Sequence, residues 1–142
     1  MLRLQPMASS GVLLEFETRS ARQARMAASR HWNYLDQFRI LCERYRAGES
    51  ELTVLCAQAG ATLERYSAET LEALRSESRD PGKGPTWLMN EYHAAIANLA
   101  GALRDELSDP SERHALAQTL QERLLRAESR LRTPQKTLLK NA

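Results

Sequence analysis

The chain has 142 residues, 42% of them hydrophobic and 27% charged, with a formal net charge of +2. That is the length of one ordinary domain able to bury its own core, and a composition that excludes a disordered or fibrous chain. Two cysteines exclude a disulfide scaffold, and no apolar run approaches the roughly 18 residues that a membrane span needs.

The first eleven residues, with Pro6 and the run Ser9, Ser10, Gly11, read as a flexible lead-in. This start holds no secretory apolar segment with a small-residue cleavage site, so a cytoplasmic protein is expected. It is also free of acid up to Glu15 and contains Arg3, which keeps a targeting or secretion signal open as a second reading.

Residues 12–48 read as a long first helix, with Ser10 as its N-cap and Glu15 and Glu17 near the positive end of the helix dipole. Ala24, Ala27, His31, Tyr34, Phe38, Leu41 and Tyr45 recur at spacings of three and four, which places them on one apolar stripe. Gly48 is the expected stop.

Ser50 is the expected cap of a second helix over residues 50–78. Its stripe is Leu52, Cys56, Ala59, Leu63, Tyr66, Thr70 and Ala73, with Leu55 and Leu74 beside it. Gly60 in its middle costs about 1 kcal/mol relative to alanine. The cost is offset if Ala57, Gly60 and Ala61 let a neighbouring helix approach closely; the alternative is a local bend.

Two Pro and two Gly between Asp80 and Pro85 end that helix. The most apolar stretch of the chain follows over residues 86–107, with Leu88, Tyr92, Ile96, Leu99, Leu103 and Leu107 on one face. Asp109, Pro110 and Glu112 then form the best local signal in the sequence: an N-cap, a proline at the first helical position and a glutamate three residues after the cap. The fourth helix carries Leu116, Leu120, Leu124, Ala127 and Leu131 and ends near Thr133 and Pro134. Residues 134–142 form a basic tail.

Four amphipathic helices with short connections predict an all-α fold, an up-and-down antiparallel four-helix bundle with short frayed termini. One bundle domain is expected over 12–133, between the lead-in 1–11 and the tail 134–142. The architecture is similar to small bacterial accessory proteins, including secretion chaperones and membrane-targeting four-helix domains. That likeness carries no motif by which residues could be transferred.

Catalytic and ligand-binding signatures are missing. A di-metal bundle needs Glu-x-x-His on one helix face, whereas Glu91 and His93, and Glu112 and His114, lie two apart and point to different sides. Neither His93 nor His114 is followed by the Lys-Gly pair of phosphotransfer bundles. Near the C-terminus Ser129 stands where the phospho-acceptor box of sensor kinases has its histidine. The GKG at 82–84 lacks both the preceding strand and the phosphate-loop spacing, which leaves at most an anion near Lys83. Cys42 and Cys56 lie at apolar positions with no cation placed by sequence to activate them, and His31 reads as a helix-interface histidine. A non-enzymatic protein with no metal, cofactor or small-molecule substrate is expected.

Charge is unevenly distributed. Residues 1–48 hold eight Arg against four acids, 49–80 three against seven, 81–109 two cations against four acids, and 110–142 seven cations against three acids. The first and last helices are therefore basic and the middle two acidic. If the first and last are neighbours, Arg19, Arg22, Arg25 and Arg30 share a basic side with Arg123, Arg126, Arg130 and Arg132. Otherwise the charges pair between helices one and two and between three and four, each surface pair contributing about 0–1 kcal/mol. Trp32, offset from the stripe beside Arg25, Asp36 and Arg39, has the composition of an interface anchor. The sequence thus points to a helical interaction module, adaptor or chaperone-like, that binds a protein partner or itself. The alternative is a binder of anionic surfaces, nucleic acid or acidic lipid, through the arginine side.

Overall fold

The computed structural model describes residues 18–132, with side chains as far as Ser129. The lead-in 1–11, the Ser10 cap, Glu15, Glu17 and the tail 134–142 lie outside the described residues. Among the described residues four helices make the fold: α1 (Arg19–Arg46), α2 (Leu52–Glu77), α3 (Pro85–Asp105) and α4 (Pro110–Arg132). Among the described residues there is no strand. The chain divides after Arg30 into two compact units, the second being His31–Ala142.

In the first unit, α1 starts at Arg19, later than the sequence expectation of residue 12. Thr18 caps it: the Ala21 N–H donates to the Thr18 hydroxyl at 3.0 Å, and the Arg22 N–H to the Thr18 carbonyl at 3.0 Å. A threonine that satisfies the free amide at this position is a sufficient helix start. Up to Arg30 the side chains are exposed except for the half-buried Gln23, Ala27 and Arg30.

The second unit is a four-helix bundle. The rest of α1 buries Tyr34, Leu35, Phe38 and Cys42 and stops where Gly48 takes a φ of 80°. There the Glu49 N–H reaches the Arg44 carbonyl at 2.9 Å and the Gly48 N–H reaches that of Tyr45 at 3.0 Å. This reciprocal pair closes the last turn, and the left-handed residue it needs is cheapest as glycine.

The N-cap of α2 is Glu51 and not Ser50; its backbone is extended and its carboxylate makes no cap bond. The helix runs antiparallel to α1, because the Tyr34 ring meets the Tyr66 ring edge-on at 5.7 Å, well beyond the turn that joins them. The Tyr34 hydroxyl also donates to Glu69 at 2.6 Å. Leu55, Leu63, Tyr66 and Leu74 are buried, with Gly60 and three hydroxyl residues, Thr62, Ser67 and Thr70. Thr62 and Ser67 donate back to the carbonyls of Gln58 and Glu64, both at 2.8 Å, which satisfies their hydroxyls in the core.

Pro85 opens α3 at the first helical position after Gly84. Its buried face is the one its spacing predicts: Tyr92, Ile96, Leu99 and Leu103, continued by Leu107. At the start of α4 the Asp109 carboxylate accepts the Glu112 N–H at 3.1 Å, as the sequence signal implies. The Glu112 side chain, however, bonds Tyr45 of α1 and so does not return to the cap. Leu116, Leu120 and Ala127 are buried and Leu124 half-buried. α3 and α4 run antiparallel, with the Tyr92 hydroxyl donating to the Ala127 carbonyl at 3.4 Å and His93 Nδ1 lying 3.3 Å from Glu128.

α2 and α4 run in the same direction and touch closely at Gly60. A Cβ there would lie 2.9 Å from Arg123 Nε and 3.3 Å from Thr119 Cγ2. Close approach is thus the reason for this glycine. Ala57 and Ala61, which the sequence grouped with it, are exposed.

Candidate functional site

The α2–α4 contact is where nominated residues meet. Arg123 Nη1 lies 2.9 Å from Glu64 Oε1, and Arg126 Nη1 lies 3.5 Å from the same oxygen. Both arginines line a shallow groove of about 370 Å³ between the helices, whose walls are the small residues Thr53, Ala57, Ala115 and Thr119. The Arg123 stem crosses α2 over Gly60, where a Cβ would lie 3.1 Å from its Cγ. With Glu122 in the same groove, two guanidinium groups there face two carboxylates.

Arg19, Arg22 and Arg25 are exposed and Arg30 half-buried within the first unit, and none of the four lacks an interaction partner. The Arg130 side chain lies outside the description. Within the bundle, charges do pair between helices, though largely across α1–α3, α2–α4 and α3–α4. Arg39 Nε bonds Glu106 at 3.1 Å and Arg113 Nη2 bonds Asp105 at 3.1 Å.

Trp32 is 52% exposed. The Arg39 guanidinium sits 5.6 Å from its ring centre, and the His31 ring meets it edge-on at 5.6 Å. Arg39 is itself held from two sides, by Glu106 and by Asp36 at 3.3 Å, and the Glu106 bond raises its pKa. Ile40, two turns further along α1, is 54% exposed. The sequence placed Trp32 beside Arg39 and Asp36; it could not show that Arg39 is fixed by Glu106, which is 67 residues away.

No protein-family model, curated protein or solved structure matches this chain.

Chemistry-bearing side chains elsewhere are held in packing roles. Cys42 is wholly buried, and burial pushes its thiol from 9.0 up to about 11, outweighing the nearby Arg46. Burial also raises the Cys56 thiol against the opposing effect of a bond from Thr119. His31 packs on Trp32 and Tyr66. Lys83, where the sequence left room for an anion, lies 3.8 Å from Glu77 and 4.7 Å from the Trp87 ring centre. Among the described residues no group of three or more His, Cys, Asp or Glu is placed to hold a metal ion. No described helix is long and apolar enough to cross a membrane.

Proposed function

We propose that the protein is a non-enzymatic helical interaction module, adaptor or chaperone-like, that binds a protein partner or a second copy of itself. The observation that carries this reading is the exposed Trp32 ring with Arg39 locked on it. Tryptophan and arginine are the side chains most enriched at the energetic centres of interfaces. Here the pair is ordered before binding, since Glu106 and Asp36 hold the guanidinium, so little rotamer entropy remains to be lost. Ile40 is a second exposed apolar side chain on the same helix.

The reading includes a cytoplasmic location and no metal, cofactor or small-molecule substrate. Two free, buried cysteines suit a reducing compartment. Photo-crosslinking from position 40 in cells that make the protein tests the partner, and sedimentation over a concentration series tests self-association. A discrete adduct, or a mass that rises with concentration, is expected, and either is lost in Trp32→Ala. A monomer that crosslinks to nothing would remove the proposal.

A second reading is a binder of anionic surfaces. The convergence of Arg123 and Arg126 on one groove, with Arg126 largely exposed, favours it. Salt separates the two: polyanion binding falls steeply with ionic strength, while an anchor of the Trp32 kind persists.

A further inference from the structure

The start of α1, residues 19–30, presents a surface that packing does not explain. Arg19, Arg22 and Arg25 are exposed, and only Gln23, Ala27 and Arg30 are half-buried. Between Thr18 and Leu35 the chain holds four arginines and no acid, the nearest carboxylates in sequence being Glu17 and Asp36. At about 100° per residue the four arginine positions fall within an arc of about 140°, spread over about 17 Å of helix.

The sign of this charge is unfavourable for the helix itself. The N-terminal end of a helix dipole is positive and favours acids, yet the first turn of α1 carries Arg19 and Arg22 and no acid. Thr18 supplies the cap, so the helix starts in spite of these charges. A local rule broken without a gain in packing is the mark of a functional surface.

The remaining side chains narrow the partner. The exposed residues between the arginines are Ser20, Ala21, Ala24, Ala28 and Ser29, and Met26 is the one large apolar side chain among residues 18–30. Such a face lacks the apolar side that an interfacial membrane helix buries, and it lacks the aromatic anchor of a protein interface. What it offers is small side chains that let a helix come close, together with Arg and Ser, which are donors to phosphate oxygens. The major groove of B-form DNA, about 12 Å wide, admits a helix, whereas the deep and narrow major groove of an RNA duplex does not.

We propose that residues 19–30 bind the phosphate backbone of duplex DNA, with the arginine face of α1 laid along the major groove. A guanidinium carries five N–H donors, so the partner that each arginine has within the protein leaves donors for a phosphate oxygen. The contact is to the backbone and carries no sequence preference. It rests neither on the Trp32 anchor nor on the Arg123 and Arg126 groove.

The test is the anisotropy of a labelled, mixed-sequence DNA duplex titrated with the full chain over a range of salt. Binding is expected, with the logarithm of the affinity falling against that of the salt concentration at a slope of about −3, set by the three exposed arginines. Arg19→Gln with Arg22→Gln and Arg25→Gln keeps good helix formers at exposed positions, so circular dichroism is unchanged while binding weakens about tenfold or more and the slope flattens. Arg22→Gln alone lowers the slope by about one. Trp32→Ala and Arg126→Gln leave affinity and slope unchanged. No binding at low salt, equal binding by the triple variant, loss of binding in Arg126→Gln, or displacement of the duplex by poly-glutamate or by acidic lipid vesicles at matched charge would overturn the assignment.

Discussion

The Tyr45 hydroxyl, in the last turn of α1, donates to the carboxylate of Glu112, in the first turn of α4. This bond ties the first helix of the bundle to the last at one end. It also explains why Glu112, which the sequence pattern assigns to its own helix cap, turns away from it.

Tyr45→Phe removes a hydrogen bond to a charged, partly buried acceptor and is expected to lower stability measurably. Urea unfolding followed by circular dichroism measures it. A change within error would show that the bond is exchanged for water without loss.

Alkaline pH attacks the same end of the bundle. The Tyr45 phenol is raised by its bond to Glu112, and the Cys42 thiol is raised by burial from 9.0 to about 11. Both are neutral when protonated and both hold their proton more tightly when folded. Their contribution is therefore complete below the unfolded values and is lost as pH rises through the folded ones. Stability is expected to fall between about pH 9 and 11, with Cys42 contributing on the order of 2 kcal/mol. Cys42→Ala should flatten that part of the stability profile. Native protein at neutral pH should also react with a thiol reagent far more slowly than denatured protein, and comparable rates would contradict the buried state of both thiols.

At Gly60 two effects oppose each other. Alanine gains about 1 kcal/mol of helix propensity, yet its Cβ would meet Arg123 Nε at 2.9 Å and Thr119 Cγ2 at 3.3 Å. The Arg123 side chain is flexible enough to move, so Gly60→Ala should change stability by less than about 1 kcal/mol while breaking the Glu64 pair. Gly60→Val forces the helices apart and should cost about 2 kcal/mol or more. Thermal melts of the two variants should separate clearly, and if valine melts like alanine the helices are not in close contact here.

Leu99 is wholly buried at the middle of α3. Leu99→Ala is expected to cost about 2–5 kcal/mol through lost transfer energy and the cavity left behind. A calorimetric melt reads this directly. A loss below 1 kcal/mol would mean the bundle collapses around the gap.

The arginines on α4 should not be equivalent. Arg123 lies under its neighbours with a 2.9 Å bond to Glu64, whereas the Arg126 side chain is 57% exposed at 3.5 Å. Arg123→Met should lower stability measurably, and Arg126→Met should stay within about 0.5 kcal/mol. Equal effects in urea unfolding would show that the two share Glu64 evenly.

What the sequence made legible was what depends on near neighbours in the chain. The α3 stripe from Tyr92 to Leu107, the Asp109 cap and the Gly48 stop are written in spacings of three and four or in single residues with special backbone preferences. Cap identity was harder, since choosing Glu51 over Ser50 depends on where the backbone turns helical. Rotation of one helix about its axis relative to another is not a local property. That is why counting charges found the basic and acidic segments but missed that Arg123 and Arg126 converge on Glu64, and that Arg39 reaches Glu106.

The buried residues of α2, from Leu55 to Leu74, cover an arc of about 160° around the helix axis, wider than a single stripe. Tyr66 faces α1 on one flank of this arc and Gly60 faces α4 on the other. Freeing α2 therefore means opening its seams with α1, α3 and α4 at once. Its amide protons should be among the last in the bundle to exchange with solvent deuterium, at a free energy close to that of global unfolding.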